Sequence, residues 1–176
     1  MTVLIAARER ALRLMPGTPL EKLVVLSSEH THSSTAKAAK ILGLQFRSIV
    51  TSASHSFSLQ GFELEAALQA AAADGLVPVF LVATVGSTST GAVDDIAQVT
   101  AVTARWPSVF VHVDAAWLGT HFALEEMREE GMLAAINKRA GGAAQEGAIC
   151  AGGEVHSFCT NLHKAGMVMF DASCLW

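Results

Sequence analysis

Apolar positions along this 176-residue chain change period in a regular order. Over residues 1–15, Leu4, Ile5, Leu12 and Met15 recur near helical spacing, and Pro16-Gly17 ends the run. Residues 23–28 form a short β-branched-rich run that reads as a buried strand. Ser33 or Ser34 can then cap a helix over 35–42, closed by Gly43. A strand over 46–50 and a polar loop over 51–61 precede a helix over 62–74, which carries Leu64, Leu68 and Ala71 on one face. Residues 77–85 are apolar on both alternating faces, as in a parallel strand covered by helices on both sides. A loop of small and hydroxylated residues spans 86–91. Asp94 is then expected to cap a helix to about residue 105, with Ile96, Val99 and Val102 along its buried stripe. A strand over 109–113 ends at Asp114. Beyond it the pattern predicts a charged helix over 124–138, an Ala/Gly-rich flexible insertion over 140–153, and strand-like runs at 155–160 and 167–170. Strand and helix alternate through short connections, so the fold class is α/β with a mainly parallel sheet and flanking helices.

Composition narrows the classes. Hydrophobic residues make up 51% and charged residues 16% of the chain, which indicates extensive burial plus an interface. The longest apolar run contains Pro78 and falls well short of the roughly 20 residues a membrane span needs. The net charge of −4, with scattered basic residues, argues against a nucleic-acid surface. Cys150, Cys159 and Cys174 lack paired spacing and read as reduced thiols, packed as small core residues in a cytoplasmic protein.

Candidate chemistry gathers at strand ends, where doubly wound sheets bind ligands. His32, Thr88, Asp114 and Lys164 each follow a strand. Asp114 ends an apolar strand and is followed by Ala115-Ala116, a fixed carboxylate beside a space free of bulky side chains. That suits a planar cationic heterocycle, whose ring nitrogen the carboxylate keeps protonated. Lys164 lies beside His163, close to the apolar run at 167–170. A lysine desolvated there falls below its ordinary pKa of about 10.4 and becomes a nucleophile toward carbonyls. His30 with His32, and His112 with Asp114, also have metal-ligand spacing, so a metal-dependent hydrolase is a second reading.

Five stretches together resemble group II pyridoxal-phosphate-dependent amino-acid decarboxylases, closest to the aromatic-L-amino-acid and tyrosine enzymes. They are His32-Ser33-Ser34, residues 82–88, residues 112–116, Asn161-Leu162-His163-Lys164, and Phe170-Asp171-Ala172-Ser173. The resemblance implies part of the large domain of a fold-type I, aspartate aminotransferase-like enzyme, with an N-terminal segment and a C-terminal small domain expected outside residues 1–176. It implies that Lys164 holds the cofactor as a Schiff base, Asp114 pairs with the pyridinium, and His32 stacks on the ring. Thr88, His112 and Ala116 fall on cofactor-pocket positions, with Asn161 and His163 near the phosphate. The implied reaction is decarboxylation of an L-amino acid, expected to be aromatic, to the amine and CO2 by a homodimer. Leu162 stands where the family usually has proline, Ala165 replaces a bulky residue, and Trp117 stands where aromatic-substrate members commonly carry tyrosine. The chain has no tyrosine at all. The isolated chain is expected to be inactive, and a remnant that only binds cofactor is a third reading.

Overall fold

The computed structural model describes residues 1–129 and 154–176. The expected insertion over 140–153, most of the expected 124–138 helix, and Cys150 therefore lie outside the described residues. Helix α1 (Thr2–Leu14) leads into strand β1 (Leu23–Ser28), α2 (Ser34–Ile41) and β2 (Gln45–Ile49). Then come α3 (Gly61–Ala73), β3 (Val77–Thr84), α4 (Ile96–Thr103) and β4 (Phe110–Asp114). A 3-10 helix (Leu118–Ala123), α5 (Glu125–Glu129), β5 (Ser157–Asn161) and β6 (Ser173–Leu175) complete the described order.

The strands form one sheet in the order β2-β1-β3-β4-β5-β6. The first five are mutually parallel and β6 runs antiparallel to β5. Alternation explains why β1 and β3 are buried almost throughout and apolar up to their carboxyl ends. Val24, Leu26, Leu81 and Ala83 pack with Leu64, Leu68, Ile96 and Val99 of α3 and α4, while Val25, Phe80 and Val82 pack with Leu4, Ala7 and Ala11 of α1. Both sheet faces are thus covered, and a central strand with two buried faces has no polar side to show. The register between β1 and β3 slips at Val24/Val25, so Val24 pairs with Pro78 and Val25 with Phe80. Proline lacks the ladder donor, and a bulge beside it is where a strand tolerates it.

Three sequence expectations are corrected. Asp95, not Asp94, caps α4, its side chain accepting the Gln98 N–H. Asp94 is instead 2% exposed and holds two distant backbone amides. Neither Ser33 nor Ser34 caps α2 with its hydroxyl, because Ser33 is helical and the Ser34 N–H goes to His32 Nδ1 at 3.2 Å. Residues 167–170 form no strand, and Met167, Met169 and Phe170 are 94, 89 and 81% exposed. A short apolar run has no period that separates strand from loop, and here β5 takes its partner three residues later, at Ser173.

The connection after β3 needs glycine. Gly86 has φ +86°, and a Cβ there would lie 2.6 Å from Leu118 Cγ in the 3-10 helix after β4. A Gly86→Ala variant is expected to lose about 2–3 kcal/mol, through left-handed backbone strain plus overpacking. Urea unfolding should show this as a lower midpoint at unchanged slope.

β2 lies on one side of β1 and β3 on the other, so the strand order reverses between β1 and β3. Chain segments leaving the two strands diverge at that point, which opens a crevice at the carboxyl ends. That crevice holds the site.

Candidate active site

A cavity of about 260 Å³ opens at the carboxyl ends of β1, β3, β4 and β5. His32, Thr88, Asp114, Ala116, Asn161 and Lys164 line it, six of the eight residues singled out from the sequence. They come from four strand ends and the connections that follow them, separated by up to 132 positions, the difference between 164 and 32, and only the parallel sheet brings them together.

Asp114 is the last residue of β4, paired in register with Thr84 on one side and Cys159 on the other. Among the described residues, both hydrogen bonds to its carboxylate fall on Oδ1: the Ala116 N–H donates at 3.1 Å and the Cys159 thiol at 3.7 Å. The carboxylate is thereby oriented, with Oδ2 left as an acceptor. The Cys159 thiol is pushed up to about 12, first by burial and then by the Asp114 charge. It therefore stays a protonated donor at physiological pH rather than a nucleophile.

The third wall is the 86–91 loop. Thr84 Oγ1 is 2.8 Å from Thr31 Oγ1, tying the ends of β3 and β1 together. Buried Ser87 accepts the Ala92 N–H at 3.1 Å and meets Thr90 Oγ1 at 2.7 Å, while Thr88 is exposed at the cavity. At the mouth, His32 Nδ1 takes the Ser34 amide and lies 2.8 Å from Ser34 Oγ. An amide N–H can only donate, so Nδ1 is the unprotonated nitrogen and Nε2 carries the proton in the neutral ring.

Lys164 follows β5 through a turn closed by its own N–H donating to the Asn161 carbonyl at 3.1 Å. Asn161 is braced twice, its N–H on the Ala116 carbonyl and its Oδ1 accepting from Ser173 Oγ at 2.8 Å. Gly166 keeps the turn tight, since a Cβ there would stand 2.6 Å from the Leu162 carbonyl oxygen. Lys164 itself is exposed, because the apolar residues behind it form an open loop and not a buried strand. The desolvation expected from the sequence is therefore not provided by the described residues.

Two of the eight residues lie beside the cavity rather than on it. His112, two residues before Asp114, faces the adjoining cavity against α1, with Nδ1 2.7 Å from Ser157 Oγ. Burial pulls its pKa below the ordinary histidine value against the opposing pull of Asp114, so the ring is neutral at pH 7. His163 turns away, its Nδ1 accepting the Ala172 N–H at 3.1 Å and its ring stacked on Phe170 at 4.6 Å. The residues of the metal-hydrolase reading are not gathered, and the described residues hold no group of three or more His, Cys, Asp or Glu placed to bind a metal.

Sequence reasoning missed Cys159, which reads as a small core residue but forms cavity wall. The usable signal was alternation: Ser157, Cys159 and Asn161 share a face, and the register sets Ser157 beside His112 and Cys159 beside Asp114. Ser34 and Thr84 were also missed, and Trp117, noted only as a departure from a family pattern, lines the cavity while 48% exposed.

The donor set fits the ring and the aldehyde of a pyridine-aldehyde cofactor. A carboxylate oriented through Oδ1, with Oδ2 free among the described residues, suits a ring N–H, a primary amine suits an aldehyde carbon, and hydroxyl, amide and imidazole groups surround them. Small Ala116 leaves the space between them open.

Comparison with known proteins agrees. The structure of Oryza sativa TDC with PLP and tryptamine superimposes with a TM-score of 0.83 at 35% identity, covering 98% of this chain and 33% of that one. The fold is thus that of part of the large domain of fold-type I pyridoxal-phosphate enzymes. The family model described as the pyridoxal-dependent decarboxylase conserved domain matches residues 1–176, and the chain belongs to that family. An L-tyrosine/L-DOPA decarboxylase 2 from Lophophora williamsii is 37% identical over 179 residues, which is all of this chain and 31% of that protein. A phenylacetaldehyde synthase from Arabidopsis thaliana is 35% identical over 181 residues, again all of this chain and 33% of the relative. The chain spans about a third of the length of these relatives. Among the described residues, no helix is long and apolar enough to cross a membrane.

Proposed function

We propose that this chain forms the cofactor-holding core of a pyridoxal-phosphate-dependent decarboxylase acting on an aromatic L-amino acid. The observation that carries the reading is the convergence of Lys164, Asp114, His32 and Thr88 on one cavity at four strand ends. Lys164 supplies the amine that attaches the cofactor. Asp114, held through Oδ1, offers Oδ2 to the ring N–H. His32, fixed at Nδ1 by Ser34, presents a protonated Nε2 and a ring face toward the ligand. Thr88 and Asn161 supply polar contacts around it, Ala116 leaves room for the ring, and His112 and His163 brace the strand and the turn that carry Asp114 and Lys164. The bound cofactor supplies an electron sink for the pair left when the bond to the carboxylate breaks.

Aromatic specificity rests on the tyrosine and DOPA relatives, against Trp117 at the cavity, which departs from the tyrosine that aromatic-substrate members commonly carry. A homodimer belongs to the same reading, supported by the exposed apolar side chains at 167–170 beside the site. A cytoplasmic location is supported by the free thiols Cys159 and Cys174. Turnover requires exclusion of water from the reacting bond, whereas Lys164 and the loop behind it are open to solvent. The 176-residue chain alone is therefore expected to bind without releasing CO2.

The test is spectroscopic. Cofactor-loaded protein is titrated with L-tyrosine, L-DOPA, L-tryptophan and L-glutamate while the visible absorbance of the bound cofactor and CO2 release are followed. Aromatic amino acids should perturb the band at concentrations at least about tenfold below glutamate, the scale of 1.4 kcal/mol. Equal or reversed preference overturns the aromatic assignment. In any assembly that does release CO2, the expected product is the amine; an aldehyde would align it with the phenylacetaldehyde synthase.

A further inference from the structure

Asp94 is the most deeply buried carboxylate among the described residues, at 2% exposure, and it lies outside the cavity lining. Its Oδ2 accepts the Thr84 N–H at 2.7 Å and its Oδ1 the Leu59 N–H at 2.9 Å. The backbone returns both bonds: the Asp94 N–H donates to the Thr84 carbonyl at 2.9 Å and the Asp95 N–H to the Leu59 carbonyl at 3.1 Å. Four hydrogen bonds thus lock the segment entering α4 to the end of β3 and to the residue two positions before α3.

The lock sits at the base of a loop. Val85 bridges to Val93, and the Gly86 and Ser87 amides both donate to the Ala92 carbonyl at 3.0 Å. The chain therefore leaves the sheet at Thr84, projects Ser87 and Thr88 at the cavity, and returns at Asp94. Thr84 also pairs with Asp114 in register, and the Val85 N–H donates to the Asp114 carbonyl at 2.8 Å. One buried carboxylate is coupled through Thr84 to both the loop wall and the strand that carries Asp114.

We propose that Asp94 is a positioning residue: its carboxylate latches the base of the 86–91 loop, and proton uptake by that carboxylate loosens the loop and weakens ligand binding in the cavity. A carboxylate accepts both amides at once, one on each oxygen. Once one oxygen carries a proton, its acceptor capacity falls and one amide loses its full-strength partner. Burial is the main cause that lifts the Asp94 pKa to about 6, against the lowering by the Thr84 and Leu59 amides. Glu63 of α3 pushes it further up and His30, after β1, pulls it down. The sign separates loosening of the loop from global unfolding. A folded pKa above the unfolded value of 3.8 means that this group adds stability as pH falls through about 6. The fold becomes firmer over the same interval in which the loop becomes looser.

The proposal rests on the cavity being the cofactor site only for its binding arm. In cofactor-free protein, amide NMR signals of Thr84, Leu59, Ser87 and Thr88 are followed from pH 7.5 to 5. They should titrate together with one midpoint near 6, and the Ser87 and Thr88 signals should broaden or shift toward those of a mobile loop. An Asp94→Asn variant, which keeps the volume but cannot titrate, should lose that midpoint and bind pyridoxal phosphate about tenfold more weakly at pH 7.5, the effect of roughly one lost interaction. Wild-type signals of Thr84 and Leu59 that titrate while Ser87 and Thr88 stay fixed would overturn the latch. So would an Asp94→Asn protein whose loop signals and affinity match wild type. If the variant does not fold, the wild-type titration decides. If wild-type protein binds no cofactor at any pH, the reading of the site fails while the NMR arm still judges the latch.

Discussion

An Asp114→Asn variant is expected to keep the fold and lose the chemistry. The substitution preserves shape, so the Ala116 N–H can still reach the side-chain oxygen, and stability should fall by no more than about 1 kcal/mol. What disappears is the negative charge facing a ring nitrogen. In any assembly that turns over, removing a preorganised charge from where charge develops costs roughly a hundredfold to a thousandfold in rate. An amide can also turn its NH2 toward the ring nitrogen, which then sits unprotonated. The check is twofold: near-wild-type urea unfolding, and a bound-cofactor absorbance spectrum whose pH dependence differs from wild type. Wild-type spectra in the variant would remove Asp114 from its assigned role.

Lys164→Arg is expected to have a still larger effect. Arginine keeps the positive charge and most of the reach, but its guanidinium stays protonated and forms no stable bond to an aldehyde. Any part of cofactor binding that is electrostatic survives, and the covalent part is lost entirely. Dialysis should strip pyridoxal phosphate from the variant while wild type retains it. Because Lys164 is exposed and the 161–164 turn is held by backbone bonds and by Asn161, the fold should be untouched. A variant that retained cofactor through dialysis would show that the lysine does not anchor it.

Much of the fold and most of the site are legible in the amino-acid sequence. The double-faced apolar run of β3 announces a central strand of a covered parallel sheet. Asp114 is conspicuous because it closes such a run with a charge and is followed by two alanines. Lys164 and His32 gain meaning from sharing a chain with it. The misreadings have a common origin in contacts that no local pattern encodes. Asp94 and Asp95 are adjacent acids before one helix, and either could cap it; the choice is made by the amides of Leu59 and Thr84, one of which is 35 residues away. Cys159 is a small residue in a short strand until the register of β4 against β5 places it beside Asp114. The run at 167–170 has the composition of a strand, but the antiparallel partner of β5 is set by Ser173–Leu175, and the intervening residues are left in the open.

The central claim is that Lys164 is a cofactor-bearing lysine in a cavity whose other wall is Asp114. It is tested most directly by incubating the protein with pyridoxal 5′-phosphate, reducing with borohydride, digesting and mapping the modified peptide by mass spectrometry. The result expected is a single dominant pyridoxyl adduct on Lys164, near-stoichiometric at low cofactor excess and strongly reduced in Asp114→Asn. Labelling spread evenly over surface lysines such as Lys22, Lys37 and Lys40, with no preference for Lys164, would contradict it.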